Sequence, residues 1–296
     1  MLRRAAPQRQ QSQTLILNRG CIGSQHARMT SLISWIGVDS RGASSAYIAS
    51  DSRITWSGGR AWDHARKLFA CRQRPHIFGY CGDVVPPTHS LSQLTELIDS
   101  GLGPGGSQNI DTYAEYVTSI LDSAFRTYPM TAKAKFEVLY CMRDGEGMTS
   151  RFHLRHITFS PDAATSIASV QMPPHSDIIA VLGSGSGGVR QSLNKWKASD
   201  VGGTSRAVFS AFCDALRSGD DQQSGGPPQL MGLRRKSAPH TFGIVWKQHR
   251  YFYGTGVDKA ASPPGVQWFN ERFEICDPAT LVRRQHAQPQ PRPAGI

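Results

Sequence analysis

The chain has 296 residues, 39% apolar and 19% charged, with a formal net charge of +11. That length and composition suit one large globular domain, and no run approaches the roughly 18–20 consecutive apolar residues that a membrane helix needs. The excess charge sits at the ends: residues 1–29 hold five arginines and no acid, residues 283–296 three more, which leaves about +3 for the body. A nearly balanced body removes the main argument for nucleic-acid binding.

Residues 1–29 are Gln- and Arg-rich, with an apolar patch (Leu15, Ile16, Leu17) too short for the core of a secretion signal. They are expected to be a disordered leader, either a propeptide or the product of a mis-assigned start. Two partly alternating apolar runs follow at 32–38 and 45–50, joined by Asp39-Ser40-Arg41-Gly42, the signature of a hairpin. Short strands are expected at 67–71 and 76–80. The period then changes to helical at 90–98 and 112–125, with Tyr113, Tyr116, Val117, Ile120, Leu121 and Phe125 on one face of the second. Strands are expected again at 136–142, 152–159 and 177–182, helices at 188–197 and 204–217, and closing strands at 240–247 and 250–254. Hairpins with paired helices predict an α+β fold, a four-layer αββα sandwich of two facing sheets. The domain spans residues 30–282, and the Gln/Pro-rich residues 283–296 read as a disordered tail.

The six cysteines (Cys21, Cys71, Cys81, Cys141, Cys213, Cys276) form no C-x-x-C pair and fall mostly in apolar segments, which predicts reduced thiols and a cytoplasmic protein. The ten histidines show no H-E-x-x-H spacing, and Asp220 and Asp221 lack a second ligand cluster, so no metal and no other cofactor is expected. The run Gly183-Ser184-Gly185-Ser186-Gly187-Gly188 matches G-x-G-x-x-G after a strand but lacks a β-α-β unit around it. Trp35, Trp62, Trp196 and Trp246 read as core or contact aromatics.

One arrangement points to chemistry. Met29-Thr30-Ser31-Leu32-Ile33 sets a small hydroxyl residue at the start of a strand. If Thr30 becomes the first residue, it supplies both the attacking hydroxyl and an α-amine of pKa about 8 to act as its base. Further along lie Asp51-Ser52-Arg53-Ile54-Thr55 after the second strand, then Lys67, Gly79-Tyr80-Cys81-Gly82-Asp83, Gly183-Ser184-Gly185-Ser186, and Asp221-Gln222-Gln223-Ser224.

In order and approximate spacing this set resembles the proteasome β-subunit and its bacterial relatives among the N-terminal nucleophile (Ntn) hydrolases, over residues 30–254. The resemblance implies a threonine-type hydrolase that cleaves amide bonds of peptides through an acyl-enzyme on Thr30. Lys67, held by Asp51, lowers the pKa of the nucleophile; Ser184, Asp221 and Ser224 surround its amine; and the N–H of Gly79 is the oxyanion donor. Thr55 and Cys81 bind the substrate main chain. Ile54, Ala65, Phe69, Ile77 and Cys81 line an uncharged first specificity pocket, which predicts a preference for apolar residues. The partners implied are a peptide or protein substrate and further copies in a homo-oligomeric ring or related assembly, with no nucleic acid and no membrane. Two departures stand out: the first hairpin is about five residues longer than usual in that family, and Met29 stands where its propeptides usually end in glycine. The other functional readings are a catalytically silent ring or scaffold subunit and an amidase acting on a small molecule.

Overall fold

The computed structural model describes residues 30–56, 58–105, 109–129, 133–258 and 265–293. The leader expected at 1–29 lies outside them, as does Cys21. The chain opens with a long hairpin, β1 (Ser31–Asp39) and β2 (Gly42–Ser50), in antiparallel register from Leu32 opposite Ser50 to Asp39 opposite Gly42. Gly42, at φ 98°, makes the turn that a side chain would resist.

This hairpin lies within the larger sheet, ordered β10-β1-β2-β11-β12-β13-β14. Its other members are β10 (Asp177–Gly183), β11 (Gln229–Arg234), β12 (His240–Trp246), β13 (His249–Phe252) and β14 (Thr255–Gly256). Off that path, β15 (Trp268–Asn270) pairs parallel with β12, and β16 (Ile275–Cys276) pairs with β15. The second sheet is a five-stranded antiparallel run of β5 (Leu68–Ala70), β6 (His76–Gly82), β7 (Phe136–Asp144), β8 (Arg151–Ser160) and β9 (Ala163–Val170). A small hairpin, β3 (Ile54–Thr55) with β4 (Ala61–Trp62), stands apart from both.

Alternation along the strands divides the core. In β1, Leu32 and Ile36 face the second sheet and meet Ile77, Leu139 and Leu154, whereas Ile33 and Trp35 face the other way. There Trp35 stacks on Tyr47 at 4.9 Å and packs against Phe209 of α4 (Ser205–Ser218), in a core that α3 (Ser186–Lys197) joins through Val189, Leu193 and Trp196. The five-stranded sheet buries Phe78, Tyr80, Val138 and Phe136 under α1 (Val85–Asp99) and α2 (Ile110–Thr127). The helix ends are set locally. The Asn109 side chain accepts from Asp111 N at the start of α2, Thr204 accepts from Ala207 N at the start of α4, and Gly219, at φ 71°, ends α4.

The four-layer αββα sandwich of the Ntn-hydrolase type expected from the sequence is corrected by this architecture. The protein is sheet-rich, built on large antiparallel sheets with only four α-helices among the described residues. The periodicity left 163–170, 229–234 and 255–276 without elements, and all three supply strands. Their apolar residues are too few or too short a run to show a period, so pairing with a neighbour and not pattern makes them strands.

The Gln/Pro-rich segment after residue 283 makes defined contacts up to Arg292. Gln290 N donates to Glu274 Oε1 at 2.7 Å, Arg292 pairs with Asp214 at 2.7 Å, and Gln290 is buried. Among the described residues no helix is long and apolar enough to cross a membrane.

At Gly79 the two sheets pack tightly. A Cβ there would lie 2.7 Å from Leu32, 2.9 Å from Ile48 and 2.9 Å from Leu68. Gly79→Ala should therefore lower stability by about 1–3 kcal/mol through overpacking. Urea unfolding measures it, and an unchanged midpoint would show that the two sheets are not in contact at this point.

Candidate active site

Antiparallel pairing of β1 with both β2 and β10 gathers three chain segments at one end of the larger sheet. Ser31 lies opposite Gly183, Leu32 opposite Ser50, and the Asp51 N–H donates to Ser31 O at 3.2 Å. Gly183, at φ 88°, is required here, because a Cβ would come within 1.9 Å of the Thr30 carbonyl oxygen. Thr30 itself has φ 104°, a region that a β-branched residue rarely enters.

Lys67, just before β5, reaches into this end from the second sheet. Its Nζ lies 2.7 Å from Thr30 Oγ1, 2.8 Å from Asp51 Oδ1 and 2.5 Å from the Arg53 carbonyl oxygen. Lys67 and Asp51 are both fully buried. The Asp51 carboxylate is saturated: besides Lys67, Oδ1 accepts from Ser31 N at 3.2 Å, and Oδ2 accepts from Arg53 N at 3.1 Å and Gly225 N at 2.9 Å. A carboxylate held by three amides and a cation keeps one orientation, and so fixes where the lysine points.

Burial pushes the Lys67 ammonium below its ordinary range, and the negative charge of Asp51 only partly opposes this. The three contacts suit either protonation state. An ammonium donates to all three oxygens. A neutral amine donates to Asp51 and Arg53 and turns its lone pair to the Thr30 hydroxyl.

Ser184, Asp221 and Ser224 also converge. Asp221 Oδ2 accepts from Ser184 Oγ at 2.6 Å and from Ser224 Oγ at 2.7 Å, and Ser224 Oγ accepts from Ser31 Oγ at 2.9 Å. The chain of hydroxyls thus runs to Ser31, the neighbour of Thr30, and borders a cavity of 170 Å³. Two glycines of the 183–188 run, Gly183 and Gly185, serve this packing. A Cβ on Gly185 would sit 1.9 Å from Ser31 Oγ, and β10 is antiparallel to β1, so no β-α-β nucleotide unit exists there.

Other expected site residues are not brought to this cluster. Gly79 lies in mid-strand, opposite Leu68 and Leu139. Tyr80 N–H reaches Lys67 O toward β5 at 3.3 Å, so by alternation the Gly79 N–H points to β7 and not to an open oxyanion position. Nor do the five pocket residues surround one space. Phe69 belongs to the core beneath α1 and α2, Ile77 and Cys81 to the core between the sheets, on the opposite face. Neighbouring strand positions point to opposite sides, and that separates them. Ile54 and Thr55 lie on β3, paired with Trp62 and Ala61, and the Ala65 carbonyl is bonded to Gln229. Burial raises the Cys81 thiol well above its usual range.

Three contributors escaped the sequence reading. Ser31 links the two halves of the cluster. Arg53 offers its carbonyl to Lys67 and forms a two-pronged ion pair with Asp63 at 2.7 and 2.9 Å. Gln229, buried at the start of β11, contacts Asp51 O, Ser52 Oγ and Ala65 O with its amide nitrogen and accepts from Lys67 N at 3.1 Å. A glutamine opening an apolar strand was the available signal. Among the described residues no group of three histidine, cysteine or acidic side chains could hold a metal.

No family model matches the chain, and no curated protein matches it. Among solved structures it is similar to an Anbu mutant from Hyphomicrobium sp. strain MC1, at 11% identity and a TM-score of 0.47, over 72% of this chain and 86% of that one. A likeness that distant carries no argument about fold or chemistry. The resemblance to proteasome β-subunits drawn from motif order is corrected accordingly: no family comparison supports it, and the sheet-rich architecture with few helices departs from that fold.

Gln229→Ala would strip partners from buried groups of four residues at once. Stability should fall by about 2–4 kcal/mol, read from thermal or urea unfolding. A loss of less than about 0.5 kcal/mol, the range of ordinary surface substitutions, would mean that Gln229 does not join these segments.

Proposed function

We propose that this protein is a threonine-type hydrolase of amide bonds, with Thr30 as its nucleophile after the residues before it have been removed. The reading rests on one contact, the buried Lys67 Nζ at 2.7 Å from Thr30 Oγ1 and locked by Asp51. Thr30 Oγ1 attacks the substrate carbonyl carbon, and its proton passes to a neighbouring amine. The C–N bond breaks, the amine leaves with a proton, and the ester on Thr30 is hydrolysed by water. A peptide is the substrate class in this reading.

Two amines are available to take the hydroxyl proton. With residues 1–29 attached, the nitrogen of Thr30 is an amide and no base. Freed, it is an amine of pKa about 8, next to the Ser31–Ser224–Asp221 chain. Lys67 is the second, since its lowered pKa brings the neutral amine closer to physiological pH. Removal of the leader also relieves backbone strain. A threonine at φ 104° costs on the order of 1–3 kcal/mol, and a first residue has no preceding peptide to impose it.

Processed protein beginning at Thr30 should hydrolyse fluorogenic peptides and be labelled on Thr30 by a peptide epoxyketone, and the 296-residue chain should do neither. Thr30→Ala should abolish turnover and labelling without unfolding the protein, while Thr30→Ser keeps part of the rate. An active chain with its leader demonstrably intact refutes the proposal, and so does a correctly matured chain that is never labelled.

The pH profile has a defined sign. The neutral form of a group with a lowered pKa grows as pH rises through that pKa, so kcat/KM should climb from acid toward alkaline pH. Lys67→Arg, which cannot deprotonate in this range, should lose at least about 100-fold, within the usual contribution of a proton-transfer group. A rate independent of pH between 5 and 9, roughly the span over which amines of lowered pKa titrate, excludes both bases.

A further inference from the structure

At the far end of β1, nine residues and roughly 30 Å of strand from Thr30, the surface holds a second, larger cavity of 740 Å³. Arg41, Arg234, Arg235 and Lys236 line it, together with the Ser45 and Tyr47 positions of β2, and no acidic residue does. Cavities of that size are typical of small-molecule sites.

The nearby carboxylate is Asp39, and it is already engaged. Arg235 binds it with both terminal nitrogens, at 2.7 and 2.8 Å, and Arg41 lies 3.6 Å away. Those contacts hold the Asp39 carboxyl well below the usual carboxylate range. Among the described residues Asp39 is the only carboxylate ion-paired with any of the four cations, while Glu146 adjoins the lining residue Gly147. Lys236 is exposed and has no ion-pair partner among the described residues, and Arg234 bonds only to the neutral Gln267 side chain at 2.7 Å while lying over the Phe242 ring.

The backbone carrying these cations is pinned from behind. The buried guanidinium of Arg143 donates to Arg234 O at 2.6 Å and to Ser237 O at 2.9 Å, and Gly147 N and Ser150 Oγ donate to Arg235 O at 2.8 and 2.7 Å. Arg143 is an expensive anchor: among the described residues it has no direct ion pair, Glu146 only partly offsets its burial, and its Nε has no hydrogen-bond partner. With the carbonyls of residues 234, 235 and 237 fixed, the backbone that carries the charged side chains of 234–236 keeps its place beside the cavity. Such pre-organisation lowers the ordering cost of binding.

We propose that this cavity binds a small polyanion, a molecule bearing phosphate or several carboxylate groups, between Arg41, Arg234 and Lys236. The site is independent of the Thr30 chemistry. Calorimetric titration of the full-length chain at low salt, with inorganic pyrophosphate and separately with citrate, tests it. At least one probe should bind saturably, with an affinity that falls as salt is added. Preference for pyrophosphate assigns a phosphorylated ligand, and preference for citrate a polycarboxylate.

The double variant Arg41→Gln/Lys236→Gln removes two exposed charges, so the fold is retained, and it should weaken binding by about tenfold or more. Arg190→Gln/Lys195→Gln makes the same change in net charge on exposed positions of α3 and should leave affinity unchanged. No saturable binding of either probe, or equal losses in the two double variants, overturns the proposal.

Discussion

Everything at the candidate site depends on one buried contact, the Lys67 side chain between Asp51 and Thr30. Taking a lysine and an aspartate wholly out of water is costly, and a bare ion pair does not recover the cost unless the remaining lone pairs and protons are also satisfied. Here they are. Three backbone amides complete the Asp51 carboxylate, and the Arg53 carbonyl and Thr30 hydroxyl complete the Lys67 nitrogen. The surrounding chain must therefore be held closely enough to present those groups. That is the work of Gln229, which ties together the segments carrying Asp51, Ser52, Ala65 and Lys67.

The sheets supply the geometry. Thr30 and Asp51 meet because β1 and β2 run antiparallel, so the start of one strand lies beside the end of the other. Lys67 comes from the other sheet, and its reach depends on how closely the two sheets pack. Gly79, expected at the site, serves that packing: its missing Cβ leaves room for Leu32, Ile48 and Leu68 where the sheets approach. In the same way Gly183 and Gly185 clear space for Thr30 and Ser31. Glycines that resemble binding loops in the sequence are here points of close packing, against side chains at Gly79 and Gly185 and against backbone at Gly183.

The two ends of the β1–β2 hairpin differ in electrostatic character. At the Thr30 end the central pair, Lys67 and Asp51, is buried and hydrogen-bonded on every side. At the turn the charges are numerous, mostly arginine, and face a cavity. A hairpin paired on both sides, with β10 and β11, is a stiff element, and stiffness suits a scaffold that holds separate groups of side chains at its two ends.

The sequence by itself determined the elements with strong periods and the residues whose chemistry is unusual for their setting. The first hairpin, all four helices and the strands around 136–142, 152–159 and 177–182 follow from alternation and helical spacing. The candidate set Thr30, Asp51, Lys67, Ser184, Asp221 and Ser224 comes instead from the order of motifs resembling the proteasome β-subunit; hydrogen bonds join Lys67 to Thr30 and Asp51, and Asp221 to Ser184 and Ser224. Only the tertiary structure decided the rest. Short strands such as β9, β11 and β15 exist through pairing with a neighbour and carry too few residues to display a period. The division of Phe69 from Ile77 and Cys81 depends on which face of the sheet each side chain takes, and that depends on strand register. Ser31, Arg53 and Gln229 act through a hydroxyl, a backbone carbonyl and a side-chain amide whose partners lie up to 193 residues away. No spacing in a linear chain records such a contact, because it is fixed by how the sheets pack.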